Sequence, residues 1–286
     1  LLKTYDKRKE NPNGPVTCKR NDILDLNVGD YLDWADKVEE GFYEAAQFLM
    51  EQYIFTRRDV PYPTQLVPLA AIFTVLGNRV YNKTIREKIG QWYWSGVFGE
   101  LYGSAVESRF AKDLPQVLDW LEGGTEPATV NDANFEIDRL LTMRTRNSAA
   151  YKGVHALLMK KGCHDFMSGV PIDLQTYFSN SIDIHHIFPI RYCNRNNIQP
   201  AIYNSIVNKT PLSSTTNRSI GGSAPSEYLE KLENQRNIPY EVLNNILETH
   251  LIDVDSIRSD DFENFFEKRK ESLFNLILEA MGQENN

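Results

Sequence analysis

The chain of 286 residues holds only three cysteines, Cys18, Cys163 and Cys193. None of them form a CxxC pair, which excludes a disulfide framework and leaves no spacing for a structural zinc. Such sparse usage suits a reducing cytoplasm. Long apolar runs are also lacking. The longest, Leu66–Leu76 (LVPLAAIFTVL), is too short to cross a bilayer and reads as a buried helix, so no membrane partner is expected. No basic n-region, apolar h-region and cleavage site open the chain, so nothing indicates export and a cytoplasmic location is expected. Gly-rich phosphate loops, internal repeats and low-complexity tracts are missing. So is any excess of positive charge: the net charge is −8, which excludes wholesale coating of DNA but not a local phosphate contact.

What is present is mostly helical periodicity. Tyr31, Trp34, Ala35, Val38, Phe42, Ala45, Ala46 and Leu49 recur at helical spacing between Val28 and Tyr53. Further helices are predicted over Thr64–Leu76, from an N-cap at Asn82 through Tyr93, over Ser104–Lys112, and from Pro115 to Trp120. Two more are predicted over Ala133–Met143 and Ala149–Lys160, joined by Arg144-Thr145-Arg146-Asn147. The aromatic run Trp92-Tyr93-Trp94-Ser95-Gly96-Val97-Phe98 reads as helix–helix core, with base stacking as its functional alternative. His155 sits on an apolar helical face, His164 in a turn, and His250 at a helix end where it would oppose the dipole. The expected fold is mainly α: a helical scaffold domain over 1–170, a small finger over 171–239, and closing C-terminal helices over 240–286 that pack on the scaffold. The chain opens with LLKTYDKRKE, without an initiator methionine, as a piece of something longer would.

Chemistry concentrates between Asp183 and Gly222. Asp183-Ile184-His185-His186-Ile187-Phe188-Pro189 sets adjacent histidines in a β-branched run closed by proline, which reads as a strand. Successive strand side chains face opposite ways, so His185 and His186 serve different roles. Asn208-Lys209-Thr210-Pro211-Leu212 leads on to Asn217-Arg218, with the two asparagines nine apart. A histidine titrating near pH 6.5 can act as a general base at neutral pH. An asparagine carbonyl suits a hard cation such as Mg2+, whereas imidazole suits Mn2+, Ni2+ or Zn2+ better. Taken singly, a His-His pair is a surface or core pair and an Asn near a turn serves the backbone. It is the order and spacing of the set that single it out as a candidate site. Charge agrees locally: residues 183–239 hold six basic against four acidic side chains, while 240–286 hold four against eleven.

The set resembles the HNH (ββα-metal) nuclease finger. That resemblance implies His186 as general base, Asn208 as the residue bracing the loop that holds it, and His185 and Asn217 as ligands of one divalent cation. The cation would be Mg2+, with Mn2+ or Ni2+ as alternatives. Asp183 would orient an imidazole rather than ligate, and Arg191, Lys209 and Arg218 would be the first phosphate contacts. Ser213 and Thr216 stand where Cys-rich fingers carry a CxxC pair, so no structural zinc is expected. The helix starting at Pro225-Ser226-Glu227-Tyr228-Leu229 would supply the α of ββα. With FYEAAQFLMEQYIF, REKIGQWYWSGVFGELYGSAVESRF and FFEKRKESLFNLILEAMG added, nearly the whole chain resembles the C-terminal half of the GmrSD-like, modification-dependent (type IV) restriction family, which includes phosphorothioate-sensing anti-phage proteins. The resemblance implies a DNA endonuclease used in phage defence, with the family's N-terminal nucleotide-hydrolysing sensor lying outside this chain. A catalytically inactive DNA-binding or scaffold module derived from such a nuclease is the alternative.

Overall fold

Apolar residues recurring every three or four positions drive most of the chain into helix, and one short antiparallel strand pair interrupts them. The fold is mainly α with a small ββα element. The computed structural model describes residues 1–104 and 106–284. The chain divides into two compact units, Leu1–Phe135 with Ala280–Gln283, and Glu136–Glu279 with the C-terminal residues from Glu284. Helices of seven residues or more are numbered below in chain order.

In the first unit, α1 (Val28–Glu51) starts at Asn27, whose side chain accepts from Asp30 N while the Asp30 carboxylate accepts from Asn27 N. This reciprocal cap satisfies two otherwise orphaned donors. Helix α2 (Leu66–Leu76) is apolar almost throughout and mostly buried, with only Val67 and Val75 exposed, as suits a helix at the centre of its unit. The two cross closely at Gly41, where a Cβ would come within 2.2 Å of Thr74 Oγ1 and 2.6 Å of the Ala70 carbonyl. Asn82 caps α3 (Lys83–Phe98), accepting from Ile85 N at 3.2 Å. Trp92, Tyr93, Trp94 and Phe98 on α3 are all buried, so the aromatic run is core and the base-stacking alternative falls.

Two sequence expectations fail here. Helix α4 (Val106–Leu121) runs through Pro115 instead of restarting there. Burial of Leu114, Val117 and Leu118 on both sides of the proline outweighs the one lost backbone bond. Ala105, part of the predicted 104–112 helix, lies outside the described residues. The predicted Ala133–Met143 helix shrinks to the single turn Arg139–Thr142; Ala133 and Phe135 are buried but carried by irregular chain, so their spacing reflects core contacts rather than a helix.

The second unit contains α5 (Ala149–Lys160), β1 (Ile182–His186), β2 (Lys209–Ser213), α6 (Ser214–Ile220), α7 (Pro225–Arg236), α8 (Tyr240–Thr249) and α9 (Phe262–Met281) up to Glu279, the last two residues of α9 falling in the first unit. The strands pair antiparallel, with His185 opposite Thr210 and His186 opposite Lys209. The unit begins near residue 136, not at 171 as the glycine and proline of Gly169–Pro171 predict. The reason is that α5 packs against β2, Lys209 Nζ donates to the Arg144 carbonyl at 2.8 Å, and Asp165 accepts from Ser213 N at 2.9 Å. The start of the last helix packs beside β1: Phe262 and Phe265 pack against the Phe188 ring. Fully buried Arg269 donates to the carbonyls of Val207, Lys209 and His250. The helix of ββα is α6 rather than α7. Ser213 caps it by accepting from Thr216 N, and Gly221 at φ +61° ends it, a conformation that favours glycine.

His250 is not a charged partner of a helix dipole. It is fully buried, with Nε2 on the His164 carbonyl and Nδ1 on the Thr210 hydroxyl, each at 2.6 Å. Burial pushes its pKa down to about 3. An unfolded histidine takes its proton near pH 6.5, so between the two values the unfolded state holds more protons and stability rises with pH. The stabilisation is complete above about pH 6.5 and is lost as pH falls toward 3. Urea unfolding between pH 7 and 5 will show stability falling with acidification, by at most about 1.4 kcal/mol per pH unit from this residue, and His250→Gln will give a shallower slope.

Candidate functional site

Strand β1 delivers both histidines, and the segment after it is clamped by Asn208. The Asn208 side chain is fully buried. Its Oδ1 accepts from Phe188 N at 2.8 Å, and its Nδ2 donates to the Phe188 carbonyl at 2.9 Å and the Tyr203 carbonyl at 3.1 Å. The Asn208 carbonyl also accepts from Ile187 N at 2.9 Å. Tyr228 on α7 adds a hydroxyl bond to the Ile187 carbonyl at 3.1 Å. Residues 187 and 188 are thus held immediately after His186 by the Asn208 side chain and backbone.

The two histidines differ. His186 Nε2 lies 3.1 Å from Asn204 Oδ1, and the Tyr203 ring meets it edge-on at 6.3 Å. With a carbonyl oxygen as acceptor, Nε2 carries the proton and Nδ1 keeps its lone pair. Burial, then the Lys209 charge, push its pKa down to about 4, against the opposing Asn204 bond. The Nε2 of His185 is buried and finds no hydrogen-bond partner among the described residues. Its pKa is also lowered, by burial first and by Arg146 second. Both rings are therefore neutral at pH 7. A buried imidazole nitrogen with no partner is the state expected of a ligand atom, because an unsatisfied polar atom is otherwise costly.

Asn217 is half-buried on α6, a helix in contact with both strands. Asp183 forms an ion pair with Arg146, and its Oδ1 accepts from Ile184 N at 2.6 Å. It thus holds an arginine and its own strand rather than an imidazole. Arg191 and Arg218 are exposed. Lys209 is not a free surface cation: it is buried, bonded to the Arg144 carbonyl, and has its ammonium 5.4 Å from the Tyr151 ring centre. Burial pulls its pKa down to about 8, helped by Arg146. Among the described residues, no three His, Cys, Asp or Glu side chains group as metal ligands.

Three contributors escape sequence reading. Asn204 orients His186, and no motif position marks it. Arg146 joins β1 from a loop 37 positions earlier in the chain, and no motif position marks it. Asp165 is buried and accepts from Ser213 N, Thr216 Oγ1 (2.6 Å), Met167 N, Ser168 N and Ser168 Oγ. Burial alone would raise its pKa, but these hydrogen bonds, with Thr216 foremost, prevail and hold it below the ordinary carboxylate value. Ser213 Oγ donates to Thr216 Oγ1 at 3.0 Å, so the Ser-x-x-Thr pair is tied to a carboxylate rather than to a metal.

No family model matches the chain. It is 32% identical over 217 residues to the uncharacterized protein MJ0686 of Methanocaldococcus jannaschii, a match covering 68% of this chain and 37% of that protein. The chain thus spans little more than a third of the length of the curated relative it matches.

Because Asn208 serves one buried N–H and two buried carbonyls, removing it leaves the Phe188 N–H and the Tyr203 carbonyl unsatisfied and the Phe188 carbonyl with only the Cys193 thiol. Asn208→Ala will cost roughly 2–4 kcal/mol in urea unfolding. Asn208→Asp will be no milder, since a carboxylate serves the Phe188 N–H but neither carbonyl.

Proposed function

We propose that this chain is a metal-dependent DNA endonuclease of the HNH type, serving restriction-type phage defence in the cytoplasm. The observation that carries the reading is the antiparallel β1–β2 pair running directly into α6, with His185 and His186 on one strand, the Asn208 brace at the start of the other, and Asn217 on the helix. Function follows from such a site rather than from fold alone.

His186 is the general base. The Asn204 bond fixes its proton on Nε2 and leaves Nδ1 to take a proton from water, while the Asn208 brace holds the backbone just beyond it. His185 and Asn217 fit a divalent cation: one brings a buried imidazole nitrogen without a partner, the other an amide oxygen. That pair suits Mn2+ or Ni2+ at least as well as Mg2+. Bound there, the cation would polarise the phosphate and stabilise the departing alkoxide. Arg146, its guanidinium largely exposed beside β1, joins Arg191 and Arg218 as a phosphate contact. Lys209 acts instead on the electrostatics of His186. A sensor domain of the same protein, outside this chain, would decide which DNA is cut.

Supercoiled plasmid will be nicked in Mg2+, Mn2+ or Ni2+ and not in EDTA, and His186→Ala will lower the rate by at least about a hundredfold. Full activity in that variant refutes the assignment. DNA binding without nicking in any of the three metals instead favours the inactive binding module. Binding measured in EDTA isolates the phosphate contacts: Arg146→Ala will weaken affinity for all sequences alike and reduce the slope of log K against log salt by about 1.

A further inference from the structure

The charged groups around the histidine strand differ in how firmly they are held. Asp165 is buried and accepts hydrogen bonds from five donors. Lys209 is buried and donates to the Arg144 carbonyl at 2.8 Å. Arg146 is different. It stands in the loop before α5, its side chain is 63% exposed, and it pairs with Asp183, whose side chain is 37% exposed. An ion pair so open to water is held weakly, which leaves the guanidinium ready to change partners. Asp183 and His185 are alternate residues of β1 and face the same side of the strand pair, opposite Leu212 and Thr210. The Arg146 charge reaches the His185 ring as well: burial first, then Arg146, lower its pKa.

Arg146 therefore has two effects on a cation held by His185 and Asn217. It repels the cation directly, and it cancels the charge of a carboxylate two residues from His185 that would otherwise attract it. A DNA phosphate offers the same guanidinium two oxygens in a geometry that matches its fork as a carboxylate does. Resting on the reading of His185 and Asn217 as cation ligands, we infer that DNA regulates the cation site through this ion pair. A backbone phosphate draws Arg146 off Asp183, and the freed carboxylate strengthens cation binding on its side of the strand pair. Cation and DNA then raise each other's affinity by the same factor, as linkage demands, so DNA binding promotes cation loading.

Calorimetric titration with Mn2+ in the absence of DNA tests the ion pair directly. Arg146→Ala will bind Mn2+ at least about fivefold more tightly than the wild-type chain. Arg146→Lys, which keeps the charge, will match the wild type, and Asp183→Asn will bind more weakly. Arg146→Ala combined with Asp183→Asn removes both charges and will return to the wild-type affinity. Both side chains reach the surface, and circular dichroism will show the variants folded. Fluorescence anisotropy of a labelled DNA duplex reads the reciprocal effect, on a His186→Ala background that keeps the duplex whole. Mn2+ will tighten the duplex at least about fivefold beyond its effect on the same chain with His185→Ala, and Asp183→Asn will abolish that gain. Unchanged or weaker Mn2+ binding in Arg146→Ala overturns the coupling and leaves the cation site standing. Mn2+ binding that survives unchanged in His185→Ala, or none in the wild type, overturns the cation site and the coupling with it.

Discussion

The site depends on one buried amide. A strand that ends in a loop would leave His186 at the end of a mobile lever; the Asn208 side chain prevents this by satisfying both backbone groups of Phe188 at once. An asparagine alone among small side chains offers a donor and an acceptor from one planar group, which is why the position admits no simple replacement. The clamp in turn fixes where the Phe188 ring goes, between Tyr192, Phe262 and Phe265, and so joins the finger to the closing helix. Local polar geometry and hydrophobic packing therefore lock the same two residues.

Desolvation sets the electrostatics around that clamp. Lys209 sits opposite His186 in the strand register and is itself buried against Tyr151 and the Arg144 carbonyl. Burial first, then the charges of buried Lys209 and exposed Arg146, depress the neighbouring imidazoles, so both rings present lone pairs rather than protons. Asp183 neutralises part of this field by pairing with Arg146. The balance leaves a neutral His-His strand beside the Lys209 and Arg146 charges.

Sequence made the helices and the polar set legible to different degrees. Periodicity found α1, α2, α3 and α5 because each buries one face or all faces. It failed at Pro115, where burial on both sides carried the helix through, and over 133–143, where core contacts mimicked a helical repeat. Strand β1 was legible from β-branching, whereas β2 was not read as a strand and the place of Asn208 was implied only by the resemblance. Helix α6 was missed because Ser-Ser-Thr-Thr reads as a loop until Ser213 is recognised as an N-cap. The domain boundary was misplaced because Gly169–Pro171 is a turn within the second unit, closed by the bond from Asp165 N to the Val170 carbonyl at 3.0 Å. Asn204, Arg146 and Asp165 reach the finger from outside its motif, and no local pattern predicts contacts made that way.

Asp165 bears on how so small an element holds its shape. Two strands of five residues and a seven-residue helix cannot bury enough apolar surface to be stable alone. Cys-rich fingers of comparable size solve this with a metal; here Ser213 and Thr216 converge on one carboxylate from outside the motif, and Asp165 accepts hydrogen bonds from five donors. Arg269 performs the matching task at the other end of β2, spanning three carbonyls from α9. Side chains supplied by the surrounding chain thus hold both ends of β2, which joins the strand pair to the loop before α5 and to α9.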